Sequence, residues 1–224
     1  MSCSSTRGKS IDIEDIYKKN DEEFSEVISK NGDIYRKMVF ELYEWTQDNC
    51  NDTHFKNNFN KKYQSVVNSH RIYAKKPLLI FIYRKMIEND EIENDALFWS
   101  VLQKRPARNA DGITNITLLT SPNPTYTVID ENGKEKQIVQ SFSCKHNCYY
   151  CPDEPGQPRS YLKKEPAVAR ANRNEFYAVR QMIDRMDSLL CCGQEIDKLE
   201  IIIEGGTYTE YPKPYLEQFH RDIV

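Results

Sequence analysis

The sequence predicts an α/β protein in which a helical N-terminal region precedes a β-α-β crossover. Three patterns carry that reading. From Ile11 to about Leu102 apolar residues recur at helical spacing, with Tyr35, Met38, Val39, Leu42 and Trp45 on one face. After Lys104-Arg-Pro-Ala-Arg108 the texture becomes β-branched. Further on, a helical stripe leads into Leu199-Glu-Ile-Ile-Ile203, a buried strand that ends at paired glycines.

Each element has a local reason. Pro77 opens Leu78-Leu-Ile-Phe-Ile-Tyr83 as a first-turn proline can, and Asp95 gives the helix through Leu102 an acidic start. Ile113–Leu119 and Thr125–Ile129 read as strands, and Asn132-Gly133 signals a hairpin that returns through Gln137–Phe142 into a cysteine-rich loop. A single crossover helix is expected from Pro166 to Gly193, with Phe176, Val179, Ile183, Met186 and Leu190 as its stripe. Parallel strands joined by such a crossover gather their loops at the carboxyl ends, so the cysteine loop and the glycine turn should share one edge. Tyr215, Leu216, Phe219 and Ile223 mark a final helix. The chain thus divides into residues 1–103, helical, and 104–224, the start of the α/β domain.

With 224 residues the chain can bury a real core. Its formal net charge of −3 gives no overall basic footprint, so any nucleic-acid contact must come from a local patch. No stretch has the apolar length of a membrane span, and the N-terminal residues lack the apolar core of a secretory signal. The seven cysteines are therefore read as reduced thiols or metal ligands in a cytoplasmic protein, and no membrane partner is expected.

The chemistry concentrates in Cys144-Lys-His-Asn-Cys148-Tyr-Tyr-Cys151-Pro152. Three thiolates within eight residues let one loop wrap an iron-sulfur cluster and leave one iron open. A closed zinc site would need a fourth ligand, for which His146 is the neighbour, and it stands as the alternative. The C-x3-C-x2-C spacing with Tyr150 before the last cysteine resembles the radical S-adenosylmethionine (SAM) signature. That resemblance implies a 4Fe-4S cluster on Cys144, Cys148 and Cys151, SAM on the open iron, and reductive cleavage of SAM to a 5'-deoxyadenosyl radical. It places Tyr150 beside the adenine. It also makes the fold class α/β with a helical N-terminal region followed by the start of a radical SAM partial (β/α) barrel.

Glu204-Gly205-Gly206-Thr207 follows the apolar strand directly, and paired glycines permit close backbone approach. The same resemblance gives Gly205, Gly206 and Thr207 the amino group of SAM. Thr207 stands where most members carry an acidic residue.

From Lys104 onward the order of landmarks resembles the catalytic subunit of Elongator. They run through Lys104-Arg-Pro-Ala-Arg108, Gly112-Ile113, Cys148-Tyr-Tyr-Cys151-Pro152, Ser160-Tyr161, Glu165-Pro166, Arg170-Ala171, Asp197-Lys-Leu-Glu200, and Gly205-Gly-Thr-Tyr208 with Pro212 and Tyr215. The resemblance implies an acetyl-CoA-dependent, carboxymethyl-type modification at C5 of a tRNA wobble uridine, with tRNA and Elongator-type subunits as partners. Two departures stand out: the first two cluster cysteines are closer than is usual there, and the rest of the barrel and an acetyltransferase-like domain lie beyond Val224 in relatives. The chain alone is thus expected to be incomplete, and a second chain could supply what it lacks. A noncatalytic tRNA-binding or Elongator-interaction module, and a radical SAM enzyme with another substrate, are the competing readings.

Lys61, Lys62, His70, Arg71, Lys75 and Lys76 interleave with Tyr63 and Tyr73, a pattern that offers phosphate contacts and stacking faces to RNA or, equally, a solvated helix face. Lys104, Arg105 and Arg108 carry the same two readings. Arg170 and Arg173 on the crossover helix stay outside the expected site, and Cys3, Cys50, Cys191 and Cys192 read as structural or free thiols.

Overall fold

A computed structural model describes residues 13–104, 111–142, 144–146 and 148–224. Arg105, Arg108 and Cys3 lie outside the described residues. The chain divides into two compact units, one built from residues 12–113 with 186–198 and the other from residues 114–185 with 199–224.

The first unit is helical. Helix α1 (Ile13–Asp48) is interrupted at Asn31, whose backbone leaves the helical region just before Gly32. It is followed by α2 (Phe55–His70), α3 (Lys76–Glu88) and α4 (Ala96–Leu102). Tyr35, Met38, Val39 and Leu42 are buried, so the expected face of α1 is its core face. They pack with Phe59 and Val66 of α2, Leu79, Ile80 and Tyr83 of α3, and Phe98 and Leu102 of α4. Phe98 is the aromatic hub, with Tyr83 at 4.9 Å, Tyr43 at 5.5 Å and Phe59 at 6.1 Å, each near edge-to-face. Asp95 caps α4, accepting from Phe98 N–H at 2.5 Å, which satisfies one of the donors a helix start leaves open.

The second unit holds two small sheets. Strand β1 (Ile113–Leu119) pairs with β4 (Lys198–Glu204), and β2 (Thr125–Ile129) pairs antiparallel with β3 (Glu135–Val139), Thr125 opposite Val139. Thr120 N–H donates to Glu204 O at 2.9 Å, so the carboxyl ends of β1 and β4 lie side by side and the two strands run the same way. The mixed α/β class is therefore as expected. The strand that begins the crossover is β1, however, and the hairpin β2–β3 is an insertion ahead of the cysteine loop. Its turn is held by Asp130, whose carboxylate accepts from Asn132 N–H and Lys134 N–H, each at 2.9 Å, while Gly133 takes a positive φ of 75°.

The crossover is two helices, α5 (Pro166–Arg173) and α6 (Ala178–Leu190), where the sequence predicts one. Glu175 and Phe176 both adopt left-handed backbone, and Phe176 N–H returns to Ala171 O at 2.8 Å. The break turns Phe176 onto Leu119, Val168 and Ala171. It also resets the face of α6, where Ala178, Gln181, Met182, Met186 and Leu189 are buried while Val179 and Ile183 are only partly so. Helix α7 (Lys213–Ile223) closes the described chain, burying Tyr215 and Phe219 as expected. Among the described residues no helix is long and apolar enough to cross a membrane.

Gln181 is the buried polar residue that completes β1. Its carboxamide accepts from Leu119 N–H and donates to Leu119 O, both at 2.9 Å, replacing the ladder of a neighbouring strand at the point where β1 enters the site. Burying an amide is costly unless both ends are bonded, and here they are. Gln181→Leu keeps the volume but orphans Leu119 N–H and C=O, so chemical denaturation should show a loss of about 2 kcal/mol.

Candidate functional site

The carboxyl ends of β1 and β4 carry the two notable loops, and the structure brings them together. Cys144 Sγ lies 3.3 Å from Thr207 Oγ1, and Lys145 pairs with Glu210 at 3.0 Å. Phe142, two residues before Cys144, stacks on Tyr211 with ring centres 4.2 Å apart. The glycines make this contact possible. A Cβ on Gly205 would stand 1.8 Å from Thr120 Oγ1, and one on Gly206 would stand 2.5 Å from the Phe142 ring. Real atoms do not approach so closely, so a side chain at either position would force Thr120 or Phe142 to shift.

Gly206 N–H donates to Tyr211 Oη at 3.2 Å, and the Gly205 backbone acts on the Tyr161 hydroxyl. Burial dominates both tyrosines and pushes each phenol pKa up, so both remain neutral at ordinary pH. The carbonyl oxygens of the turn accept from ammonium or amide donors.

In the cysteine loop, Cys151 N–H donates to Cys148 O at 3.1 Å, forming a tight turn that carries Tyr149 and Tyr150. Both rings stand exposed to solvent. Cys144 and Cys151 are partly exposed, and Cys148 is exposed. Hydrogen bonds from Ser160 and then Arg159, with the charge of Arg159, hold the Cys151 thiol pKa below its ordinary value. Arg159 in turn pairs with Asp153 at 2.7 Å and is reached electrostatically by both Cys151 and Cys144.

The donor set suits a soft metal or iron-sulfur group in its chemistry: three solvent-reachable thiols on one loop, two of them acting on one guanidinium. The thiols are not gathered in advance, since no three His, Cys, Asp or Glu side chains among the described residues converge as a metal-binding group. His146, the candidate fourth ligand for zinc, is exposed and completes no such group.

Sequence reasoning did not single out Arg159, Thr120 or Tyr211. The signal for Arg159 was its place beside Ser160-Tyr161. Thr120 and Tyr211 carried none, because their roles arise from contacts across 91 residues of chain.

Much of the basic stretch of the first unit is committed to its own fold. Lys62 pairs with Glu41 at 2.7 Å, and His70 approaches the same carboxylate at 3.4 Å; the bond from Lys62, ahead of the burial that opposes it, lowers the Glu41 pKa. Lys76 donates to Val101 O at 2.7 Å over the rings of Phe59 and Tyr63, and burial lowers its pKa. Lys61, Arg71, Tyr73 and Lys75 remain exposed. Arg170 donates to Thr117 O at 2.6 Å and Arg173 pairs with Asp184 at 3.3 Å, so both brace the crossover.

No family model matches the chain. The tRNA uridine(34) acetyltransferase of Dehalococcoides mccartyi (strain CBDB1) is 30% identical over 119 residues, 53% of this chain and 22% of that protein. Elongator complex protein 3 of Saccharomyces cerevisiae (strain ATCC 204508 / S288c) is 29% identical over 123 residues, 53% and 20% of the two chains, and that of Homo sapiens is 28% identical over 127 residues, 54% and 21%. Over about half of its length, this chain is a homologue of these proteins named tRNA uridine(34) acetyltransferase and Elongator complex protein 3. It spans about a fifth of the length of each of the three.

The arrangement around Cys151 has a measurable consequence. Because its folded pKa is lowered, the pH midpoint of its alkylation by iodoacetamide should lie below that of an ordinary thiol, and Ser160→Ala should move the midpoint upward. Mass-spectrometric rates across pH check this; an unmoved midpoint would contradict the Ser160 bond.

Proposed function

We propose that the chain is the N-terminal part of a radical SAM tRNA uridine-modifying enzyme resembling the Elongator catalytic subunit. The observation that carries this is the meeting of Cys144 with Thr207 at 3.3 Å, because it joins the three-cysteine loop to the glycine turn at one strand edge. The β1–β4 crossover is then the start of a partial (β/α) barrel.

Cys144, Cys148 and Cys151 would hold a 4Fe-4S cluster, with SAM beside it. Together these supply one-electron reductive cleavage of SAM and a carbon-centred radical. The chain's own residues bind and orient. The carbonyls of Gly205 and Gly206, with Thr207, receive the amino group of SAM; the Gly206 N–H, already donated to Tyr211, fits that role. Tyr150 offers its exposed ring to the adenine, and Ser160 with Arg159 lowers the Cys151 thiol pKa, which favours the ligating thiolate.

The acetyl donor is acetyl-CoA and the substrate a tRNA wobble uridine, modified in carboxymethyl fashion at C5; the name of the Dehalococcoides relative supports the acetyl and uridine parts. Lys61, Arg71, Tyr73 and Lys75 are the exposed residues best suited to tRNA phosphates and bases. Elongator-type subunits or a second chain are the expected protein partners. A noncatalytic tRNA-binding module is the second reading, favoured by cysteines that do not converge in advance.

Anaerobic reconstitution with iron and sulfide separates the two. The enzyme reading expects about four irons per chain, a reduced-state electron paramagnetic resonance signal that changes on adding SAM, and release of 5'-deoxyadenosine. Cys148→Ala should abolish iron loading without changing the melting of the metal-free chain, since Cys148 is exposed. Full iron content in that variant, or zinc retained in place of iron, would overturn the enzyme reading.

A further inference from the structure

The turn after β4 is closed by a hydrogen-bond network through Thr120 and Tyr211. Thr120 Oγ1 lies 3.1 Å from Glu204 O and 2.8 Å from Tyr211 Oη, and Tyr211 Oη accepts from Gly206 N–H at 3.2 Å. These contacts link Gly206 N–H, the Tyr211 hydroxyl, the Thr120 hydroxyl and Glu204 O in one network, which clamps the two ends of Glu204-Gly205-Gly206.

The same tyrosine faces the other loop. Its ring is buried and stacks on Phe142 at 4.2 Å and 26°, and a second stack at 5.7 Å joins it to Tyr215, whose hydroxyl accepts from Ser121 N–H at 2.8 Å. One residue thus bonds the glycine turn through its hydroxyl and holds the root of the cysteine loop through its ring.

We propose that Tyr211 is the positioning residue of the candidate site: its hydroxyl fixes the glycine turn through Gly206 and Thr120, and its ring fixes the loop that carries Cys144, so that Cys144 and Thr207 stay in register. This assignment rests on the reading of loop and turn as one site. Tyr211 touches no reacting atom in this scheme and acts through the groups it holds.

The proposal is tested on the metal-free chain, where cluster chemistry plays no part. The readout is the rate of alkylation of Cys144 by iodoacetamide relative to Cys148, an exposed internal reference on the same loop. Tyr211→Phe keeps the ring stack and removes the hydroxyl that bonds Gly206 and Thr120, and should raise the Cys144 to Cys148 ratio about fivefold, the opening expected from losing one hydrogen bond. Thr120→Val cuts the same network at its next member and should raise the ratio similarly. The double variant should match either single one, because the network is broken once.

Unchanged ratios in both single variants, or effects that multiply in the double variant, would overturn the proposal. In the reconstituted protein, Tyr211→Phe should weaken the SAM-induced spectral change while leaving iron content at the unmodified level. A wild-type chain that fails to load iron would remove the enzyme reading while the metal-free result still decides the role of Tyr211.

Discussion

The close approach of the Glu204–Thr207 turn to Thr120 and Phe142 is the constraint on which the candidate site depends. A side chain at Gly205 would collide with β1, and one at Gly206 would collide with the root of the cysteine loop. With glycine at both positions, β4 can end against β1 while the cysteine loop folds over the turn. Tyr211 then takes the Gly206 N–H, and Cys144 comes to rest against Thr207. The paired glycines thus serve packing first.

Upstream, the same edge is prepared by elements with no chemistry of their own. Gln181 stands in for a strand beside Leu119, so β1 is held immediately before Thr120 and Ser121 leave it. The left-handed pair Glu175 and Phe176 lets the crossover bend and seats Phe176 on that strand end. Left-handed backbone at two non-glycine residues costs energy. The apolar contacts of Phe176 and the return bond to Ala171 offset it.

What could be read from the sequence followed the range of the physics. Period-two and period-3.6 patterns act over a few residues, and they placed β1, β2, the face of α1 and the closing helix at their observed positions. Asn132-Gly133 located the hairpin turn, although β3 begins two residues earlier than expected because Asp130 closes the turn with its own side chain. The crossover helix was read as continuous because its apolar spacing survives the break. What ends α5 is the return bond from Phe176 and the bond of Asn174 to Asp184, neither of which periodicity reports. The cysteines and glycines were visible as motifs, and their meeting on one edge followed from crossover topology. Tyr211, Thr120 and Arg159 were invisible as site residues, since tyrosine, threonine and arginine gain these roles only through partners remote in the chain.

The central claim, that the cysteine loop and the glycine turn form one rigidly registered site, is tested most directly by a cross-link. In the metal-free Thr207→Cys chain, mild oxidation should join Cys144 to the new thiol, because the wild-type side-chain atoms already stand 3.3 Å apart. Peptide mapping that finds this disulfide as the dominant product would support the account. Mapping that finds the new thiol free, with Cys144 paired instead to Cys148 or Cys151, would contradict it.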